Sequence, residues 1–183
     1  MIKSTLLLAS ILLLHSCATV PVTGRRQVSL ISSAEINQMS ADQYQQVLRE
    51  SKLSSNQEQV AMVKRVGNNI KTAVEQYMAS KGASEELVGF NWEFNLIQDD
   101  ETVNAWCMPG GKVAFYTAIM PICQDELGVA VVMGHEVAHA IANHGRERMS
   151  QGLIAQFGLG TLSAAMRSEE HTSEHQSRQY LVC

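Results

Sequence analysis

The segment HEVAH at residues 135–139 constrains this chain more than any other feature of its 183 residues. Its histidines stand four positions apart, so on a helix His135 and His139 project from one face, within reach of one metal ion. Glu136 follows directly after the first histidine, where it can hold a water molecule beside the metal. Neutral imidazole suits zinc, and zinc with three protein ligands keeps a position for water, whose pKa falls to about 7. The pattern predicts a helical zinc site in which Glu136 holds the metal-bound water.

The residues around the motif predict a buried helix. From Leu127 to Ala142 the only charged side chain is that of Glu136, and most other positions hold valine, alanine or other apolar residues. Two imidazoles and a carboxylate in such a setting would be costly to desolvate unless something binds them. A metal ion is the simplest candidate, which strengthens the interpretation of the motif.

A third histidine follows the motif closely, but its spacing is wrong for a ligand. On a continuous helix His144 would point roughly 180° away from His135 and roughly 140° away from His139. We interpret it as a cation favoured at the helix end, next to Gly145 as the terminator. The third ligand is therefore expected elsewhere in the protein.

The N-terminus has the pattern of an exported protein. Lys3 precedes the apolar run Leu6 to Leu14, which is too short to span a bilayer but typical of a signal-peptide core. The residues up to Cys17 resemble a bacterial lipobox, with Cys17 as the lipidated first residue. An ordinary secretory signal is the alternative. Ala18 after the cysteine favours, by resemblance to bacterial lipoproteins, an outer-membrane lipoprotein whose domain faces the periplasm.

Charge and cysteine content add two expectations. The formal net charge of -4 and the lack of a basic run give no sign of a nucleic-acid partner. An oxidising compartment would permit a bridge between Cys107 and Cys123, although both lie in apolar surroundings where buried free thiols are common. Both possibilities stay open.

Local patterns predict helices first and a small sheet next. Ser32 with Glu35, and Ser55 with Glu58, each match a capping box at a helix start. The second helix has a core face at helical spacing, formed by Val60, Val63, Ile70, Val74 and Tyr77. Apolar residues alternate with polar ones from Phe90 to Leu96, which predicts a half-buried strand.

The sheet is expected to end in a hairpin. Asp99 and Asp100 mark a turn, and two further strands are predicted at 103–108 and 112–117, joined through Pro109, Gly110 and Gly111. The predicted fold class is α+β, mostly helical, with a small sheet before the HEVAH helix.

Two long segments then resemble one peptidase family. NAWCMPGGKVAFYTAIM at 104–120 and DELGVAVVMGHEVAHAIANHGRERMSQ at 125–151 are similar to the family of HtpX, the CAAX prenyl protease and the bacterial lipoprotein proteases LoiP and BepA. PVTGRRQVSLIS at 21–32 resembles the start of its exported lipoprotein members. Ala118 departs from the glycine that members often carry there.

The resemblance implies a zincin-like (gluzincin) metallopeptidase domain. Zinc would be held by His135, His139 and a glutamate on a later helix, with Glu136 as general base. The strand before the helix would align an extended substrate by adding it to the sheet edge. The implied substrate-binding residues are Asn104, Ala105, Pro109, Gly110 and Gly111.

The C-terminal tail does not fit that pattern. Residues 167–183 resemble the translation of a sequencing-library adapter, so we interpret them as non-native and the domain as incomplete at its C-terminus, with the glutamate ligand not in this chain. The alternative is a divergent terminus whose acids, or His171, replace that ligand. The expected organisation is a signal peptide (1–16), a lipid-anchored tether (17–31), the N-terminal part of the peptidase domain (32–166) and this tail (167–183).

Three classes of function follow. The leading hypothesis is a membrane-anchored zinc endopeptidase that hydrolyses peptide bonds of damaged, unfolded or misassembled cell-envelope proteins, although this truncated chain would be inactive by itself. The second is a non-proteolytic metal-binding or chaperone-like outer-membrane lipoprotein. The third is a structural lipoprotein in which HExxH is fortuitous. Metal binding and cleavage together would separate the three.

Overall fold

The computed structural model describes the fold at residues 17–19, 24 and 26–166, and the side chains of residues 24 and 29–156. The predicted signal peptide (1–16) and the predicted non-native tail (167–183) lie outside the described residues.

Five helices and five strands make up the described residues. The strands are β1 (Cys17–Thr19), β2 (Arg26–Val28), β3 (Glu93–Ile97), β4 (Ala105–Met108) and β5 (Lys112–Tyr116). The helices are α1 (Ser33–Glu50), α2 (Gln57–Ser80), α3 (Met120–Cys123), α4 (Glu126–Ile141) and α5 (His144–Met166), with short 3-10 helices at Ser84–Leu87 and Thr117–Ile119. The prediction of a mostly helical chain with a small sheet before the HEVAH helix is confirmed.

The central sheet has the order β3-β5-β4, so β5 is its middle strand. β3 runs parallel to β5, whereas β4 pairs with β5 antiparallel through the predicted hairpin. Gly110 and Gly111 both have φ of 80° in that turn, a backbone conformation that side chains rarely adopt. A Cβ on Gly111 would also lie 2.7 Å from the Trp92 ring, so the turn requires glycine there.

Helices cover both faces of this sheet. α2 and α4 bury one face, which contributes Phe94, Leu96, Ala105, Cys107, Val113 and Phe115 to the larger core cluster. α1 and α5 cover the other face, where Ile36, Tyr44, Ile97, Trp106, Met108, Ala114 and Met149 form a second cluster. The predicted half-buried strand is confirmed in β3, where Phe94 and Leu96 are buried and the alternating Glu93 and Asn95 are half-buried, but it begins at Glu93 and not at Phe90. Its last residue, Ile97, is also buried and packs in the second cluster.

Tyr44 fixes α1 to the middle of the sheet. Its hydroxyl donates to the backbone carbonyl of Val113 at 2.8 Å and accepts from the side-chain amide of Asn95 at 3.0 Å. Its ring meets Trp106 edge to face, with centroids 5.8 Å apart. Burial raises the pKa of Tyr44, so the hydroxyl stays protonated as a donor. α1 is thus part of the same folded unit as the sheet.

The two predicted helix starts have different outcomes. The Ser32 hydroxyl accepts from the backbone N–H of Glu35, and the Glu35 carboxylate accepts from the backbone N–H of Ser32, so the first capping box is confirmed. The second helix begins one residue later than predicted. Asn56 caps it by accepting from the backbone N–H of Gln59, because its amide oxygen reaches that orphan donor.

Replacing Ser32 by alanine is expected to lower the free energy of unfolding by about 1 kcal/mol at pH 7, because the cap is lost. Hydrogen bonds from Ser32 lower the pKa of Glu35 below its usual 4.5. Their contribution is therefore present above that pH and is lost as the pH falls through the lowered value. Denaturant titrations of both proteins at pH 7 and pH 3 measure the difference, which should shrink at pH 3. Ser55→Ala is the matched control, and an equal loss in that variant would contradict the assignment.

The structure also bears on two further expectations, the cysteine bridge and the core face of α2. Cys107 and Cys123 are both buried, and no disulfide joins them, so the optional bridge is not formed. Tyr77, predicted for the core face of α2, is 44% exposed and borders an apolar groove of 270 Å³ between α2 and α4. The groove leaves this end of the predicted core face uncovered by the described residues.

No single helix among the described residues is long and apolar enough to cross a bilayer. The bent pair of Thr117–Cys123 and Glu126–Ile141, which meet at 117°, has the necessary length and composition only when its two parts are taken together.

Candidate metal centre

The HEVAH segment lies in the second half of α4. Asp125 starts this helix by accepting from the backbone N–H of Gly128 at 2.9 Å. Arg65 of α2 holds the first turn through three hydrogen bonds to the Glu126 carboxylate, the shortest at 2.6 Å. A stripe at helical spacing packs α4 against α2 and β4, formed by Val129, Met133, Val137 and Ala140. The motif is therefore carried on a packed element, which favours a precise site.

The opposite side of α4 is open among the described residues. Leu127 is 72% exposed and Val131 is 67% exposed, and His135 is exposed as well. The prediction of a buried helix is therefore confirmed for one face of α4 and wrong for this side. Apolar residues occur on every face of α4, but the described elements cover only one of them, so the argument from desolvation of His135 falls away.

The two histidines of the motif meet at their ring edges. The Nε2 atoms of His135 and His139 lie 3.0 Å apart, and the ring planes stand at 89° to each other. Two imidazole nitrogens bound to one tetrahedral zinc at the usual bond length lie roughly 3.3 Å apart. The observed separation is within a few tenths of an ångström of that value. The pair fits a single zinc ion.

The structure corrects the predicted position of His144. The helix does not continue past Ile141, because Asn143 has φ of 58° and reverses the chain. α5 then starts at His144. The imidazole of His144 lies next to the motif, with its Nδ1 atom 2.7 Å from Nδ1 of His139. Asn143, two residues before Gly145, is the sequence signal that could have predicted this earlier helix end, since asparagine tolerates the left-handed conformation that ends helices.

Burial adjusts the protonation of the motif. It raises the pKa of Glu136 above its usual value, opposed in part by the nearby His135. It also lowers the pKa of His139, and the neighbouring His135, His144 and Arg148 lower that pKa further. A lowered pKa keeps the His139 imidazole neutral, which is the form that binds a metal ion. A raised pKa brings Glu136 closer to the neutral pH at which a general base works best.

No third ligand joins the two histidines in the part of the chain that the structure describes, where no group of three or more histidine, cysteine or acidic side chains could hold a metal. The glutamate expected from a later helix stays a prediction.

The predicted substrate-binding residues lie along the β4 hairpin. Asn104 precedes β4 and accepts from the backbone N–H of Tyr116 at 3.1 Å, and Ala105 is the first residue of that strand. Pro109, Gly110 and Gly111 form the turn, where all three are buried. Their role in substrate binding stays a prediction.

One part of that prediction is corrected by the sheet order. The strand that precedes the helix in sequence is β5, and it is paired on both sides. It therefore cannot accept an added strand, because both of its hydrogen-bonding edges are used. β4 is an edge strand of this sheet and packs against α4.

Comparison with known proteins shows the family to which this chain belongs. Residues 64–182 match the model of Peptidase family M48, which is more than half of the chain. The chain belongs to peptidase family M48. The match confirms the predicted family, and a metalloendopeptidase activity of this chain is proposed below. The match includes most of residues 167–183, so the non-native origin of that tail stays a prediction.

The relatives agree with this class. The mitochondrial metalloendopeptidase OMA1 of Schizosaccharomyces pombe is 33% identical over 134 residues, which are 72% of this chain and 36% of the relative. OMA1 of Saccharomyces cerevisiae is 41% identical over 69 residues, 37% of this chain and 20% of the relative. Human OMA1 is 25% identical over 146 residues, 80% of this chain and 27% of the relative. The chain thus spans about a third or less of these relatives' length.

The relatives also correct the predicted location. The prediction of a bacterial outer-membrane lipoprotein facing the periplasm is wrong, because these relatives are mitochondrial proteins. These relatives give no support to the signal peptide or to the lipidation of Cys17, from which that location was predicted. The first lies outside the described residues, and the structure describes no side chain at Cys17.

Proposed function

We propose that this M48 chain carries the catalytic helix of a zinc endopeptidase. The observation that supports this proposal best is the 3.0 Å separation of the His135 and His139 Nε2 atoms, with Glu136 beside them on the same helix. In the proposed site His135 and His139 bind the zinc ion, and a glutamate outside the described residues completes the ligand set, as in gluzincins.

The chemistry follows from the residues present. Zinc, when bound, polarises the peptide carbonyl and lowers the pKa of the attacking water. Glu136 accepts a proton from that water as it attacks, and then gives the proton to the departing amine. The raised pKa of Glu136 suits both halves of this task, since the group must gain a proton and lose it in one cycle.

The domain begins at Ser32 in this proposal, ahead of the family match. α1 supports this boundary, because Tyr44 ties it to β5 and Ser32 caps its start. Residues 32–166 then form one unit that carries the sheet and the metal helix.

The proposed substrate is an unfolded or misassembled polypeptide in extended conformation. β4 supports this choice, since it is an edge strand that packs against the metal helix. An extended chain could add to that edge through main-chain hydrogen bonds, which are independent of sequence. Cell-envelope proteins are no longer expected as the substrates, because that expectation depended on the location that the mitochondrial relatives correct.

A metal-dependence experiment separates the proposal from a binding protein without proteolysis. We expect a chain that includes the third, glutamate ligand to bind zinc and to cleave an unfolded protein. A chelator should stop cleavage, and added zinc should restore it. His135→Ala should lose both zinc and cleavage, because a ligand is removed. Zinc binding without any cleavage would favour the metal-binding or chaperone-like alternative, and cleavage that survives the chelator would overturn the metal mechanism.

A further inference from the structure

His139 makes polar contacts through both of its ring nitrogens. Its Nε2 atom faces Nε2 of His135 at 3.0 Å, and its Nδ1 atom faces Nδ1 of His144 at 2.7 Å. A neutral imidazole carries one proton, so one nitrogen donates and the other accepts or binds metal. The two contacts of His139 must therefore be of different kinds.

The metal-binding role of His139, which rests on the proposed function, settles which nitrogen is protonated. Nε2 points at His135 and must offer its lone pair to zinc, so the proton lies on Nδ1. Nδ1–H can then only donate, and the group at 2.7 Å that can receive it is Nδ1 of His144. His144 must present a lone pair there and carry its own proton on Nε2.

We propose that His144 is a positioning residue for the metal site, which accepts the hydrogen bond from His139 Nδ1–H and so fixes both the tautomer and the ring orientation of that ligand. Groups that hold the second nitrogen of a metal-binding histidine typically affect metal affinity 10-fold to 100-fold, roughly, when they are removed. Backbone carbonyls and carboxylates usually accept this hydrogen bond from a metal-binding histidine. Here the imidazole of His144 accepts it instead.

The start of α5 is held firmly enough for this role. Arg146 is buried and its Nη1 donates to the Ser33 hydroxyl of α1 at 2.7 Å. The Ser150 hydroxyl donates to the Arg146 carbonyl at 2.8 Å and accepts from the backbone N–H of Leu30 at 3.1 Å. These contacts join the first turns of α5 to α1 and to the chain before it. His144, as the first residue of α5, is therefore carried by an anchored helix end.

The first test needs no metal. Long-range proton–nitrogen NMR of the metal-free full chain at pH 8 reads the tautomer of each neutral imidazole. We expect His139 to carry its proton on Nδ1 and His144 on Nε2. In His144→Ala the proton of His139 should move largely to Nε2, the form that solvent-exposed neutral histidines favour. A His139 protonated on Nε2 in the unchanged protein would overturn the proposal.

The second test measures the affinity for zinc by competition with a chromophoric chelator. His144→Ala should bind zinc about 10-fold to 100-fold more weakly. His144→Asn should recover most of the affinity, because its amide oxygen stands close to the place of Nδ1 and can accept. Gln151→Ala, an exposed change on the same helix, is the matched control. Circular dichroism checks that each variant is folded.

The outcomes separate this proposal from the proposed function. Equal zinc affinity in the unchanged protein and in folded His144→Ala would overturn the role of His144 while leaving the metal site intact. Failure of the unchanged protein to bind zinc, with His139 still protonated on Nδ1, would overturn the proposed function and leave the hydrogen bond standing.

Discussion

Replacing Glu136 by glutamine is expected to slow the cleavage of an unfolded protein by about 10²-fold to 10⁴-fold, the usual contribution of a general base. Glutamine keeps the shape of the side chain but cannot take a proton from water. Zinc affinity should stay within a few-fold, because Glu136 is not one of the proposed ligands. Cleavage rates and zinc titrations on the same preparations measure both quantities.

Glu126→Gln is the matched control for this experiment. Glu126 lies on the same helix and pairs with Arg65 at the helix start, away from the two histidines. Its loss should leave cleavage close to that of the unchanged protein, since exposed ion pairs contribute little. Full activity in Glu136→Gln would overturn the assignment of the base. A loss in both variants would point to damage to the helix.

The second large effect concerns the packing of the metal helix. Gly128→Ala should lower the free energy of unfolding by at least about 2 kcal/mol. An added Cβ would lie 1.9 Å from the backbone carbonyl oxygen of Cys123. That oxygen belongs to the chain just before α4, where Gln124 has φ of 66°, so it cannot turn aside as a flexible side chain would. The start of α4 must shift instead.

Gly134→Ala is the matched change within the same helix. The nearest atom to its added Cβ would be Cδ1 of Ile70 at 3.9 Å, an ordinary van der Waals contact. Alanine also favours a helix interior over glycine by roughly 0.5–1 kcal/mol, so this variant should be slightly more stable. Urea denaturation of the two variants measures the contrast. Equal stability of the two would contradict the described packing before α4.

Local patterns predicted those parts of the fold that depend on neighbouring residues. The four-residue spacing of His135 and His139 was enough to place both imidazoles together, because helix geometry alone determines that distance. The glycine pair at 110–111 likewise predicted the hairpin turn, and Ser32 with Glu35 predicted the start of α1. Each of these features is decided within a few residues.

Other features depend on contacts between distant segments. Alternation of apolar residues predicts strands but not their order, so the middle position of β5 could not be read from the chain. His144 was placed by assuming a continuous helix, whereas Asn143 ends α4 and brings that ring back to His139. The open side of α4 was also missed, because the apolar composition of a helix does not say which of its faces are covered.

If His135 and His139 hold one zinc ion, that ion must lie between their two rings. Anomalous diffraction at the zinc absorption edge, from crystals of the protein grown with one equivalent of zinc, locates it. We expect one strong peak about 2.0–2.1 Å from both Nε2 atoms. Crystals that show no peak between these two rings, or a peak held only by other side chains, would contradict this expectation.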